Sequence, residues 1–260
     1  MLKQLLSFYR RRIFIPVGRD ALVLDVGSGD KPHWRSDVLL DKYISDRFSV
    51  QRSGNEKTVI NKPIFDADAI SMPFKNKVFD FVICSHLLEH VERPDLVINE
   101  IMRVGKAGYI ELPYEGSSKI WDFPAHLWYC RQENGRLIFT AKQNIYFDKE
   151  IDKFVGSKKI NGAIRSLLNK YFDNCIISLY WHDRIDCNVI GTPNLGLSLE
   201  VNKAKYSRSI FLLRNILNLF FSTFLFYKKR KEKIRLNDLV KEEFYGRENE
   251  MLYKKIYKFN

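Results

Sequence analysis

Apolar and polar positions alternate along this chain between short apolar runs and longer mixed segments. Residues 23–26 place three apolar side chains around one acid, Asp25, and then stop at Gly27-Ser28-Gly29. That is a buried strand ending where a ligand can approach bare backbone, since glycine has no Cβ in the way. Asp30 before Lys31-Pro32 predicts an N-cap with proline early in a following helical turn. Residues 38–40 are apolar again and end in Asp41, so barely one helical turn separates two strands, near the lower limit for a parallel crossover. The polar stretch 42–63 reads as a long loop with some helix. A third strand over 64–67 leads to Asp68, and 78–84 (VFDFVIC) predicts a fourth. Residues 85–104 predict one helix with Leu87, Leu88, Val91, Val97, Ile98, Ile101 and Val104 on its apolar face, followed by a fifth strand over 109–112. Strands alternating with helices predict a mostly parallel α/β sheet.

Beyond Pro113 the pattern changes. Two extended runs, 126–130 and 136–142, flank Asn134-Gly135, a strong hairpin signal, and read as an insertion over the carboxyl edge of the sheet. A helix is predicted over 162–171. The runs 174–181 and 186–190 are joined by so short a link that they predict an antiparallel pair, which adds a reversed last strand.

Charge divides the chain further. The net +12 is concentrated in residues 202–235, with ten Lys/Arg against one acid, and in the first twelve residues, which carry +4. The remainder is close to neutral, whereas a nucleic-acid-binding core would carry its own basic surface. Residues 210–227 are heavily apolar and run directly into KKRKEK. Arg214, Asn218 and Ser222 fall on one stripe, and a spanning helix wants about twenty predominantly apolar residues. An interfacial amphipathic helix fits better, with 228–233 on anionic headgroups; packing on the core or on a second copy is the alternative. No C-x-x-C pair appears among Cys84, Cys130, Cys175 and Cys187, so they read as reduced apolar residues. The opening segment puts its charges after a short apolar patch and does not read as a signal peptide.

Four segments in order, DVGSG (25–29), DAISMPF (68–74), VFDFVICSHLLEHVERP (78–94) and IMRVGKAGYIELP (101–113), resemble the class I S-adenosylmethionine-dependent methyltransferases, type 11 branch. The resemblance covers about residues 20–145 and extends, more weakly, to about 192. It implies a Rossmann-like fold and S-adenosyl-L-methionine as cofactor. Gly27, Ser28 and Gly29 would let the backbone approach its methionine part, with Asp25 near the amino group. Asp41 would accept from the ribose hydroxyls, the acid-to-diol logic of dinucleotide folds. Asp68 would accept from the adenine amino group and Ala69 would offer its backbone N–H, with Met72 and Phe74 packing on the ring or supporting the loop. Ser85 completes the expected cofactor set. Lys31 stands where the family most often has a third glycine.

On the acceptor side the candidate catalytic residues are His86 and His90, near the end of the fourth strand, and His126, expected to share a strand face with Trp128 and Cys130. A histidine beside an aromatic wall suits an acceptor hydroxyl that must lose a proton. His86, Glu89 and His90 stand at i, i+3 and i+4, one face of a helix. Certain quinol O-methyltransferases of the superfamily look similar around their Glu-His pair, but two histidines and one acid on one helix make an incomplete metal site, and none is expected. Cys84-Ser85-His86-Leu87 replaces the Asp/Asn-Pro-Pro-aromatic segment of adenine and glutamine amino methylation, and no Pro-Cys nucleophile is present.

The expected organisation is a basic N-terminal segment (1–19), a methyltransferase domain (20–201, with 113–150 as the acceptor-side insertion) and a basic, hydrophobic helical appendage (202–260). The expected activity is O-methylation of a small-molecule, glycan or lipid-linked acceptor by a cytoplasmic protein, peripheral at the inner face of a membrane and with oligomerisation left open. RNA methylation through the basic tail and a non-catalytic cofactor-binding module are the alternatives. The interleaved phenylalanines of 210–227 disfavour nucleic acid, which needs charge.

Overall fold

The computed structural model describes residues 10–11, 15–42, 44, 58–120, 123, 125–143, 154, 157–199, 216–217, 219–220, 223, 233–245 and 249–259. Five parallel strands form the centre: β1 (Val23–Val26), β2 (Val38–Asp41), β3 (Ile64–Asp66), β4 (Phe79–Ser85) and β5 (Gly105–Pro113). Every residue of β1 and β2 is buried, as expected of strands covered on both faces. A hairpin of β6 (Trp128–Glu133) and β7 (Arg136–Ala141) turns at Asn134-Gly135, where both residues have positive φ. β8 (Ile176–His182) runs antiparallel beside β5, so the sheet does carry a reversed strand.

Two strands depart from the sequence reading. β9 (Cys187–Ile190) does not pair with β8; it runs parallel to β7 in a separate three-stranded sheet, β6-β7-β9. Between the two, Asp183 takes a left-handed φ of 60°, Ile185 is buried, and the Ile185 N–H meets the Met102 sulfur at 3.1 Å. Burying that isoleucine draws the chain away from β8. The second departure is β10 (Ile256–Lys258), which lies parallel to β3 at the sheet edge and gives the order β10-β3-β2-β1-β4-β5-β8.

The C-terminal region is therefore not one appendage. Leu236, Leu239, Val240 and Tyr257 are buried in the main core, and Phe65 stacks on both Tyr257 and Phe259. Most of 210–235 lies outside the described residues; within it, Ile216, Leu219 and Phe220 are helical and exposed. Among the described residues no helix is long and apolar enough to cross a membrane.

Two helices were also misplaced. Residues 30–37 form turns rather than a helix, so Asp30 caps nothing. Buried Arg35 and half-buried Lys62 do the work a helix would have done for this crossover. The Arg35 guanidinium donates to the carbonyls of Gly18, Arg19 and Ala21, and the Lys62 ammonium to those of His33, Trp34 and Ser36. The helix predicted over 85–104 begins only at Pro94, as α1 (Pro94–Val104). His86 has φ 54°, which no right-handed helix accepts. Proline also disfavours the helical region for Arg93, which sits at φ −125° and ψ 77°. What remains before it is one 3₁₀ turn, Leu88–His90. The helix expected over 162–171 runs Lys158–Lys170.

Candidate functional site

The carboxyl ends of β1, β2 and β4 bring the sequence-predicted residues to one edge. Gly27 and Gly29 take left-handed φ values of 72° and 48°. A Cβ at Gly27 would stand 3.0 Å from three carbons of Leu87, so the glycine loop lies directly against the segment that leaves β4. Ser28 is buried and its hydroxyl oxygen has no partner. Asp41 is buried and accepts the Gly29 N–H at 2.8 Å, which ties the end of β2 to the loop. Buried Asp25 accepts the His33 N–H at 2.6 Å.

Residues 68–74 are held from α1. Glu100 accepts the Met72 N–H at 2.7 Å, and Arg103 donates to the carbonyls of Met72 and Phe74 while pairing with Glu100. Met72 and Phe74 are fully buried core residues, so they support this loop rather than face a ligand. Asp68, at the loop's start, pairs with Lys42 at 2.6 Å and accepts the Ile70 N–H. Ala69 is buried beside it.

The acceptor-side histidines divide by charge. His86 sits between two acids, its Nδ1 3.0 Å from Glu89 and its Nε2 3.2 Å from Glu111. Burial opposes its charge, but the hydrogen bonds and negative charges of Glu111 and Glu89 prevail and push it up to about 10. Although 41% of the side chain is exposed, which screens part of that effect, the ring is a cation at neutral pH. That removes His86 as a proton acceptor. Burial would raise Glu111, yet His86 and Arg11 hold its carboxyl well below the usual range. Arg11 reaches it at 2.6 Å, the Tyr109 hydroxyl donates at 2.6 Å, and Ser85 stands at 3.4 Å.

His90 and His126 behave in the opposite way. Burial lowers both, His126 strongly, and neighbouring His86 and Lys142 add positive charge in the same direction. Both rings are neutral, 4.8 Å apart, with Phe123 packed on each. His126 is not on a strand face with Trp128 and Cys130, since β6 starts two residues later. Two hydrogen bonds to backbone carbonyls deliver it instead: the Leu127 N–H donates to the Glu89 carbonyl and the Trp128 indole N–H to the Val91 carbonyl, each at 2.8 Å. His86, Glu89 and His90 accordingly share no helical face. Glu89 is fully buried, lies 4.0 Å from the His126 Nε2, and keeps one oxygen without a partner.

Glu111, Arg11, Arg35 and Lys62 went unnoticed in the sequence. Glu111 had a signal, as the lone acid in an apolar fifth strand, whereas the three cations look like ordinary surface residues until their partners are in place, carboxylates for Arg11 and backbone carbonyls for Arg35 and Lys62.

The residues present suit a cationic, nucleoside-bearing cofactor. Two buried carboxylates, an orphaned buried hydroxyl and a loop with two left-handed glycines converge at one sheet edge. Open α/β sheets bind ligands at that edge. No curated protein matches the chain. Among solved structures, similarity extends to the YcgJ protein from Bacillus subtilis, at 21% identity over 42% of this chain and 50% of that one, TM-score 0.31. It extends also to the [4+2]-cyclase SpnF, at 20% over 44% and 45%, TM-score 0.32. An S-adenosylmethionine-dependent methyltransferase from Methanosarcina mazei matches at 20% over 45% and 69%, TM-score 0.31. The chain thus spans about half the length of the first two. Residues 40–110 match the family model described as a methyltransferase domain, covering β2 to β5 with Asp41, Asp68 and the His86–His90 turn between them. Over those residues, and over those alone, the chain is similar to a class I S-adenosylmethionine-dependent methyltransferase domain of the type 11 branch.

Proposed function

We propose that the protein transfers a methyl group to a hydroxyl of a small-molecule, glycan or lipid-linked acceptor, working at the cytosolic face of a membrane. The observation that carries this reading is the contact of the Gly27 loop with Leu87. It puts the cofactor loop two residues from Glu89 and three from His90, so donor and acceptor sides share one wall. When bound, S-adenosylmethionine supplies an electrophilic methyl on a sulfonium.

The chain's own residues do the rest. Asp41 and Asp68, at the ends of successive strands, would hold the ribose hydroxyls and the adenine amino group. Asp25, Ser28 and the backbone of Gly27 and Gly29 would hold the amino-acid end. Alignment is the main demand of an in-line displacement, and a hydroxyl acceptor also needs help in losing its proton. The neutral His90–His126 cluster is where that hydroxyl would be activated, while His86 stays charged and locks Glu89 and Glu111 in place. The Phe123 ring packs against both histidines and would help to shield them from water.

Membrane attachment is supported by the exposed Ile216, Leu219 and Phe220 and by the ten Lys/Arg of 202–235. Calorimetry with S-adenosylmethionine tests the donor half. A saturable heat that weakens in Asp68→Ala is expected, and silence from both proteins rejects it. Transfer of labelled methyl to a glycolipid or polysaccharide extract tests the acceptor half; label arriving only in RNA would reject it.

A further inference from the structure

We infer that Glu89, His90 and His126 form a binding site for a divalent transition-metal ion that prefers imidazole nitrogen. The inference stands apart from the acceptor's identity. Each residue offers one ligand atom, and the three atoms lie within 4.8 Å of one another. The ligands come from two segments, the turn after β4 and the entry to β6, and hydrogen bonds to backbone carbonyls already hold these together without an ion. The site is therefore preformed rather than assembled by the metal.

Orientation and unsatisfied atoms point the same way. The His90 Nδ1 faces the Ala125 carbonyl at 3.2 Å, which fixes that nitrogen as the donor and leaves Nε2 with its lone pair. Metal-bound histidines are set in this manner by a carbonyl or carboxylate behind the ring. Glu89 is fully buried, yet one of its oxygens has no partner, and neither has the Nδ1 of His126, whose side chain is 12% exposed. A buried carboxylate oxygen without a partner is costly in a protein interior. A coordinated ion would satisfy this carboxylate.

The donor set narrows the ion. Two imidazoles and one carboxylate suit Zn²⁺ and Fe²⁺, whereas Mg²⁺ and Ca²⁺ prefer oxygen. Three protein ligands leave a coordination position open, the pattern of sites that bind water or substrate rather than purely structural ones. Were an ion bound, His90 and His126 would serve as its ligands, and the ion would supply Lewis acidity toward an acceptor hydroxyl.

The full-length protein, stripped with a chelator, should take up one equivalent of Zn²⁺, or of Fe²⁺ under anaerobic conditions, with Mg²⁺ silent by calorimetry. His126→Gln and His90→Gln should each weaken uptake by roughly tenfold or more, since even outer-shell partners are worth about 10–100-fold. His182→Gln, at an exposed histidine elsewhere, should change nothing. S-adenosylmethionine heats measured on the same variants separate loss of metal from loss of fold or of donor binding. Should a variant fail to fold, X-ray absorption of the zinc-loaded wild type decides, with nitrogen and oxygen neighbours supporting the site and sulfur or oxygen alone overturning it. No uptake, or uptake unaffected by both variants, overturns it too.

Discussion

Gly27→Ala probes the contact that joins the cofactor loop to the acceptor side. Alanine at φ 72° meets the left-handed penalty of an L-residue, about 1–2 kcal/mol. Its Cβ would also sit 3.0 Å from the Cβ, Cδ1 and Cδ2 of Leu87, and overpacking of this kind costs about 1–3 kcal/mol. Leu87 is half-buried and its side chain can swing, which favours the lower part of that range. The sum, about 2–4 kcal/mol, leaves a domain of ordinary stability folded, because native proteins have about 5–15 kcal/mol in hand. Urea unfolding of the wild type, Gly27→Ala, Leu87→Ala and the double variant separates the two terms. Leu87→Ala removes the two Cδ contacts but leaves the Cβ contact and the backbone strain, so the double variant should recover part of the loss, about 0.5–1 kcal/mol of coupling. S-adenosylmethionine affinity should fall in the single variant and return in part in the double, where the loop regains its place. Simple additivity, or a Gly27→Ala loss within about 0.5 kcal/mol, would refute the close approach.

Glu111→Gln should destabilise the fold by about 3–5 kcal/mol in chemical denaturation, since it strands Arg11 and His86 around a buried neutral group. The same network predicts a pH dependence. The folded-state value of His86, about 10, lies above its ordinary 6.5. Its stabilisation is therefore complete below about 6.5 and disappears as pH rises toward 10; unfolding free energy measured across that window should slope downward in the wild type and less so in Glu111→Gln. Leu239→Ala should cost about 2–5 kcal/mol by the same assay, as for any buried leucine, and a loss near zero would detach residues 236–240 from the core. Replacing Lys228, Lys229, Lys231 and Lys233 by Gln in the full chain should reduce flotation with anionic liposomes without changing thermal stability; unchanged flotation removes the headgroup contact.

Strand positions were legible because parallel strands covered on both faces leave continuous apolar runs, and β1, β2 and β4 each end at the glycine, acid or serine that stands at the candidate cofactor edge. The residues of the cofactor edge were legible for the same reason: strand ends and ligand edges coincide in this architecture. What misled was local. Leu87, Leu88 and Val91 keep helical spacing with α1, but the positive φ of His86 and the ring of Pro94 forbid one continuous helix. His126 looked like part of β6, and nothing local places its ring against Glu89. Only the docking of the hairpin does that, through a backbone bond between residues 127 and 89. The partnering of β10 with β3 was hidden because three residues, Ile-Tyr-Lys, carry almost no pattern of their own.

That late strand shapes how the protein must be made. β3 presents its outer edge from the moment it folds, and the residues that cover it, Ile256–Lys258, follow it only after a long stretch of chain, Ile256 pairing with Ile64. Until then the edge is an open row of amides and carbonyls beside Phe65, the kind of surface on which chains join one another. Pairing so distant in sequence is slow to form. Anything that holds the intervening chain would delay the sealing of that edge, so completion of the sheet and joining to a second copy compete while the molecule folds.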